Sequence, residues 1–293
     1  ITHQQLLAAH DAVIYAVGAS SDRALDVPGA GLPGVSSATR FVAWYNGHPD
    51  FADAAFDLSQ PRAVVIGNGN VALDVARILT TYPDRLAATD IAPYALKALQ
   101  QSQIEEVFVV GRRGLAQSAF TVPELVGLTS MPDVDVVVSP QDLASLPDTD
   151  PRARILRDLP RRPGNRRIVL EYLQSPTAIA RTAAGLEIEF ARNELVAAPD
   201  GTAKVKPTGD VHSVSAGLVL TSIGYRGRPV ADLPFDDARG TVPHNEGRVD
   251  GVVATYVTGW IKRGPTGFIG TNKSCAQETV RALVADYNAG LLA

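Results

Sequence analysis

"RAVVIGNGNVALDVARILTT", Arg62–Thr81, is the stretch whose reading decides the fold. Val64, Val65 and Ile66 make an apolar run that stops at Gly67. Apolar positions then recur at Val71, Val75, Ile78 and Leu79. The first pattern is that of a buried strand, and the second is one face of a helix. Between them, Gly67-Asn68-Gly69-Asn70-Val71-Ala72 fits G-x-G-x-x-G/A. In that spacing the first glycine permits a tight turn and the second lets backbone approach a pyrophosphate. Small Ala72 lets the helix pack close to the strand. The free N–H groups of the first turn, which Leu73 completes, attract phosphate together with the helix dipole. Gly67, Gly69, Asn70, Val71, Ala72 and Leu73 are therefore candidate dinucleotide contacts. The competing reading is a glycine turn needed only for packing.

The next strand separates the cofactors. "EEVFVVGRRG" (Glu105–Gly114) is an apolar run closing on glycine and two arginines. A site for NAD places an acidic residue near this point to hold the ribose 2′-hydroxyl. Arg112 and Arg113 stand there instead, and a guanidinium fork suits a 2′-phosphate, which predicts NADP(H). The competing reading is a solvated basic turn. The interval from Gly67 exceeds the usual spacing of about twenty residues, and an insertion over about Tyr82–Gln103 accounts for the excess.

Working outward, "AHDAVIYAVGA" (Ala9–Ala19) reads as a short buried strand, and Ser20–Val35 as loop or linker rich in Gly, Pro and Asp. "SATRFVAWYNG" (Ser37–Gly47) opens with a helix-cap signal, and Pro93–Ser102 reads as helix. Strand, helix, strand predicts parallel units covered on both faces. From about Asp135 to Val214 the texture changes to what reads as shorter, antiparallel strands: "VDVVVS", "RRIVLEYLQS", "GLEIEFARNEL" and "TAKVKPTG". Buried strands return at Ala216–Tyr225 and Val253–Gly264, and Asn272–Gly290 reads as a closing helix.

The 293 residues are 45% hydrophobic, ample for one large or two ordinary domains. With a net charge of −4, nucleic-acid binding has no compositional support. No apolar run approaches the roughly 18–20 residues of a membrane span. Cys275 is the single cysteine, which excludes a disulfide framework, a Cys pair or an iron–sulfur site within the chain and points to a reducing, cytoplasmic compartment. Other residues carry less. His48 reads as a surface loop histidine, Glu124 as a carboxylate at a helix start, and Cys275 as a small buried residue. Trp260 and "RGPTGFIGTNK" (Arg263–Lys273) make a glycine-rich turn that either presents N–H groups to a ring or phosphate or is merely a turn.

Taken together, "YAVGA", "FVAWYNGHPDF", "VVIGNGNVALDVARIL", "VGRRG", "AFTVPEL", "LTSIGYRG" and "GWIKRGPTGFIGTNK" resemble the adrenodoxin reductase-like family of ferredoxin–NADP reductases, with bacterial members similar to the mycobacterial ferredoxin reductases. The resemblance implies an α/β fold: a Rossmann-like NADP-binding domain with a parallel sheet and an antiparallel addition, inserted into a Rossmann-like FAD domain. Residues 1–22 and 225–293 would be pieces of the FAD domain, and 23–224 the NADP domain. The family's NADP contacts fall on Gly69, Asn70, Val71, Ala72, Arg112, Arg113 and Glu124. Its flavin contacts fall on Trp260, Gly267, Phe268 and Ile269, with Gly267 where flavin and nicotinamide would meet.

The implied activity is an NADPH-dependent, FAD-containing reductase that passes electrons to ferredoxin or a similar iron–sulfur partner. Two departures are visible. The chain starts at Ile1 and holds one glycine-rich motif where the family has two, so a fragment lacking the FAD-pyrophosphate segment is expected. Gly127 stands where family members often carry a second carboxylate, so no proton-handling residue is assigned. The rival readings are another flavin oxidoreductase, of the disulfide-reductase or glutamate synthase small-subunit type, and a nucleotide-binding fragment without catalysis.

Overall fold

The computed structural model describes residues 1–157, 159, 160, 162, 164–198, 203–267 and 269–292. The chain divides into two compact units, one made of 1–23 with 224–293 and the other of 24–223.

The split unit opens with α1 (His3–Ala9), β1 (Val13–Tyr15) and β2 (Ser21–Asp22). The continuous unit follows with β3 (Val35–Ser37), α2 (Ala38–Tyr45), β4 (Arg62–Ile66), α3 (Asn70–Thr80), α4 (Pro83–Leu86), α5 (Pro93–Gln100), β5 (Glu106–Val110) and α6 (Val122–Thr129). It continues through β6 (Val134–Val138), α7 (Pro140–Ala144), α8 (Pro151–Arg157), β7 (Arg166–Glu171), β8 (Gln174–Thr182), β9 (Gly185–Ala197), β10 (Ala203–Ala216) and β11 (Leu218–Thr221). The split unit resumes with β12 (Tyr225–Arg226), β13 (His244–Asn245), β14 (Arg248–Val249), β15 (Thr255–Val257), α9 (Trp260–Arg263) and α10 (Ile269–Asn288).

In the continuous unit, six strands form one sheet in the order β3-β11-β4-β5-β7-β6, with every pair parallel. β4 lies inside it and is apolar on both faces. Ala63 and Val65 join the helical core with Phe41, Leu73 and Leu79. Val64 and Ile66 face a second core with Ile179, Leu186, Ile188 and Phe190. That second core is roofed by the antiparallel sheet β10-β9-β8. Successive strand residues point to opposite faces, so one five-residue strand serves both layers. Burying each of its Val and Ile side chains contributes about 1.5–3 kcal/mol.

The helical layer follows local signals. Ser37 caps α2 by accepting from the Arg40 N–H at 3.1 Å. Phe41, Trp44 and Phe56 pack with ring centroids 5.0–5.4 Å apart. α4 and α5 occupy the interval between α3 and β5. α5 docks on α2 through Tyr94, 6.2 Å from the Trp44 ring, and the Ala92 N–H donates to the Tyr45 carbonyl at 2.9 Å.

Three expectations need correction. β6 and β7 ("VDVVV", "RRIVLE") are parallel strands of the main sheet, and within that stretch the antiparallel pairing is that of β8, β9 and β10. β1 is not fully buried: Ile14 is 39% exposed, since β1 pairs only with β15 at the edge of a sheet ordered β1-β15-β14-β13. The strand expected over Val253–Gly264 ends at Val257, and Trp260 already begins a short helix.

The split unit is tied to α10 by polar contacts. Arg248 holds Asp286 with Nε–Oδ2 and Nη2–Oδ1 both at 2.8 Å, and the Tyr256 hydroxyl donates to Asp286 at 2.7 Å. Buried Lys262 donates to Glu278 at 2.6 Å and to Thr279 at 3.0 Å. Among the described residues no helix is long and apolar enough to cross a membrane.

Candidate functional site

The carboxyl ends of β11, β4, β5 and β7 stop in line, and the chain is pinned from strand to strand there. The Ser222 N–H donates to the Ile66 carbonyl at 2.7 Å, Gly67 to Val110 at 2.8 Å, and Gly111 to Glu171 at 2.8 Å. This edge is where ligands bind open α/β sheets.

The two glycines of the turn have different reasons to be glycine. Gly67 has φ +122°, and a Cβ there would fall on the Ser222 carbonyl. Gly69 is extended (φ −91°, ψ −177°) and needs no special backbone. A Cβ on it would meet only the Ala119 Cβ, at 3.9 Å. The protein leaves that space open. Gly69 is also the N-cap of α3, and no side chain caps the helix. The Leu73 N–H already donates to the Gly69 carbonyl at 3.2 Å. The N–H groups of Asn70, Val71 and Ala72 thus lack an intrahelical acceptor. Ala72 and Leu73 bury their side chains in the helical core, so this stretch offers backbone rather than side chains.

Neighbouring loops fix the turn. Asn70 Oδ1 accepts from the Thr121 N–H at 2.8 Å, and the Asn68 carbonyl accepts from the Phe120 N–H at 3.1 Å. Glu124 sits in the first turn of α6 and is exposed. Arg112 and Arg113, both exposed, follow β5, and neither forms an ion pair among the described residues. The loop beyond them is anchored by Arg152, whose Nη1 donates to the carbonyls of Leu115 at 3.2 Å and Ala116 at 3.0 Å. Arg152 is in turn clamped on Asp150 at 2.6 and 2.9 Å, and its hydrogen bonds hold that carboxyl below the usual range. Burial pushes the Glu171 carboxyl up, opposed by the Gln174 amide that donates to it at 2.7 Å.

In the split unit, Trp260 opens α9 behind Gly259 and stacks on Tyr225 with centroids 5.6 Å apart. Its Nε1 is buried and has no hydrogen-bond partner among the described residues. Gly267 has φ +81° and is exposed. Phe268 lies outside the described residues, and Ile269 begins α10. Cys275 is buried as expected. Burial pushes its thiol up, but the Gly259 N–H at 3.3 Å, Thr258, Lys262 and a hydrogen bond from the Arg263 side chain bring it net below the ordinary value. His48 caps a short turn by accepting from the Asp50 N–H at 3.2 Å. No cluster of His, Cys, Asp and Glu among the described residues is arranged to hold a metal ion.

One participant escapes the sequence reading. Asn193, 3% exposed, donates to the Arg112 carbonyl at 3.0 Å. In β9 the buried positions run Leu186, Ile188, Phe190, which would turn Asn193 outward. Ala191 is buried too, the alternation changes phase there, and Asn193 faces inward. The strands on either side shift register near this point.

No family model matches the chain. A probable ferredoxin/ferredoxin–NADP reductase of Mycobacterium tuberculosis is 50% identical over 99% of this chain and 52% of that protein. The mitochondrial NADPH:adrenodoxin oxidoreductase of Bos taurus is 43% identical over 100% of this chain and 64% of that protein. The structure of Mycobacterium tuberculosis FprA in complex with NADPH matches with a TM-score of 0.93 and 49% identity, over 99% of this chain and 66% of that one. The chain spans about half the length of the curated relatives it matches first. By sequence and fold, it belongs to the adrenodoxin reductase-like family of ferredoxin–NADP reductases.

Proposed function

We propose that the continuous unit binds NADP(H) and that the whole protein is an NADPH-dependent, FAD-containing reductase serving ferredoxin or a similar iron–sulfur partner. The observation that carries the reading is the pairing of two features at one sheet edge. Gly69 leaves space before an uncapped helix start, and two exposed arginines, in no ion pair among the described residues, follow the adjacent strand. Backbone N–H groups of Asn70, Val71 and Ala72 suit a pyrophosphate. Guanidinium groups of Arg112 and Arg113 suit the 2′-phosphate that distinguishes NADP from NAD. Glu124, exposed on α6, is proposed as a further contact to the nucleotide.

The names of the relatives support the wider reading: they are NADPH-ferredoxin and NADPH:adrenodoxin reductases. When bound, FAD supplies the exchange between a two-electron nicotinamide donor and one-electron acceptors. A buried donor of the split unit, Trp260 Nε1, has no hydrogen-bond partner among the described residues and fits an acceptor atom of a flavin. In this reading Trp260 holds the ring, and Gly267, Phe268 and Ile269 are carried over from the family resemblance as further flavin contacts. A cytoplasmic location is proposed on the single, unpaired cysteine.

Calorimetric titration of the chain with NADP+ and NAD+ tests the nucleotide reading. NADP+ is expected to bind at least about tenfold more tightly, the worth of one good charge-assisted contact. Equal affinity, or a preference for NAD+, would overturn it.

A further inference from the structure

The backbone that carries the two arginines is held from beneath. The Gln174 N–H donates to the Gly111 carbonyl at 3.2 Å, and the Leu173 N–H to the Arg113 carbonyl at 3.1 Å. Between them, Asn193 Nδ2 donates to the Arg112 carbonyl at 3.0 Å and to Ser175 Oγ at 2.9 Å. The Asn193 N–H also donates to the Leu173 carbonyl at 2.7 Å. Three consecutive carbonyls therefore rest on side chain and backbone from β8, β9 and the turn before them.

That support has two unfavourable features. Leu173 is a non-glycine residue at φ +56°. Asn193 Oδ1 is buried with no hydrogen-bond partner among the described residues. An apolar side chain at this inward position would avoid the orphaned oxygen. Strain and an unsatisfied acceptor persist where surrounding structure holds a geometry that function needs. Both lie under the loop that carries the exposed Arg112 and Arg113.

We propose that Asn193 is a positioning residue for dinucleotide selectivity. By fixing the Arg112 carbonyl, it sets the direction in which the Arg112 and Arg113 side chains leave the loop. A fork that meets a phosphate must be aimed in advance, since ordering two long side chains at binding weakens the complex. The proposal rests on the reading of Arg112 and Arg113 given above. A merely structural Asn193 would change both nucleotides alike. A positioning Asn193 changes only the one that carries the 2′-phosphate.

The test compares NADP+ and NAD+ affinities of the wild-type chain, Asn193→Leu and Ser175→Ala. Leucine keeps the volume but has no N–H to donate. Asn193→Leu is expected to weaken NADP+ about tenfold, the worth of one aligned charge-assisted contact, with NAD+ unchanged within about twofold. An unchanged NADP+/NAD+ ratio, or equal losses, overturns the proposal. If Asn193→Leu loses its native circular dichroism, Ser175→Ala decides in its place, because it removes the other acceptor that orients the amide. Its ratio is expected to fall about two- to threefold, the worth of one neutral hydrogen bond, and an unchanged ratio overturns the proposal. A wild-type chain without preference for NADP+ overturns the arginine reading and this inference with it. A wild-type preference whose NADP+/NAD+ ratio is unchanged in the deciding variant overturns this inference alone.

Discussion

At the end of β5 two exposed arginines form no ion pair among the described residues, whereas beside α10 a set of charged and polar side chains is spent inside its own unit. Arg248 and Tyr256 close on Asp286, and Lys262 on Glu278 and Thr279. Cys275 Sγ takes the Gly259 N–H. At the sheet edge the helix start lacks a side-chain cap, and Gly69 faces open space. Polar groups that are consumed internally hold a scaffold, and polar groups left over at an edge are available to a ligand. Trp260 Nε1, buried with no hydrogen-bond partner among the described residues, departs from that pattern in the split unit, and it is the atom assigned there to a flavin.

The contrast breaks most visibly at Gly69. Gly69→Val puts a branched side chain where the pyrophosphate is proposed to approach, so NADP+ and NAD+ should both weaken by about 100-fold or more. Circular dichroism should stay native, because the added Cβ meets only Ala119. Tight binding by a folded Gly69→Val would make the turn a packing device. Gly67→Ala should behave in the opposite way. At φ +122° and against the Ser222 carbonyl, its side chain strains the strand ends. A loss of about 2 kcal/mol or more in denaturant unfolding is expected, and wild-type stability would show that the Ser222 contact yields easily.

The scaffold half of the comparison is sharpened by acid. Hydrogen bonds from Arg248 and Tyr256 hold the Asp286 carboxyl below its ordinary value of 3.8. Its folded value is therefore depressed, and the unfolded chain binds the proton more readily. The stability it contributes is complete above the unfolded value and is lost as pH falls through the folded one. Asp286→Asn should lower the melting midpoint at neutral pH and flatten its fall below about pH 4. Parallel pH profiles for the two proteins would show that this carboxylate does not couple to folding.

How much of this was legible in the sequence depends on the range of the interaction involved. The strand–turn–helix at Arg62–Thr81, the Ser37 cap and α5 are local patterns, and all appear where the residues indicate. Strand direction is not local. "VDVVV" and "RRIVLE" carry no mark of the neighbours that pair with them in parallel. The short helix at Trp260 hides in a run whose apolar residues also suit a strand. Asn193 was illegible because a phase change at Ala191 inverted the alternation that should have turned it to solvent. At Gly67 and Gly69 the motif was plain, but only the coordinates separate the glycine demanded by a carbonyl from the one facing open space.

The central claim is that the exposed arginines at the end of β5 read a 2′-phosphate, and Arg112→Ala tests it most directly. Charge-assisted hydrogen bonds contribute about 1.5–3 kcal/mol each, so NADP+ should weaken roughly 10- to 100-fold. NAD+ lacks that phosphate and should change by less than about twofold. Calorimetric titration of both nucleotides into wild type and Arg112→Ala gives the four constants needed. A selective loss of NADP+ is the result the account predicts, and equal losses for the two nucleotides, or none for either, would contradict it.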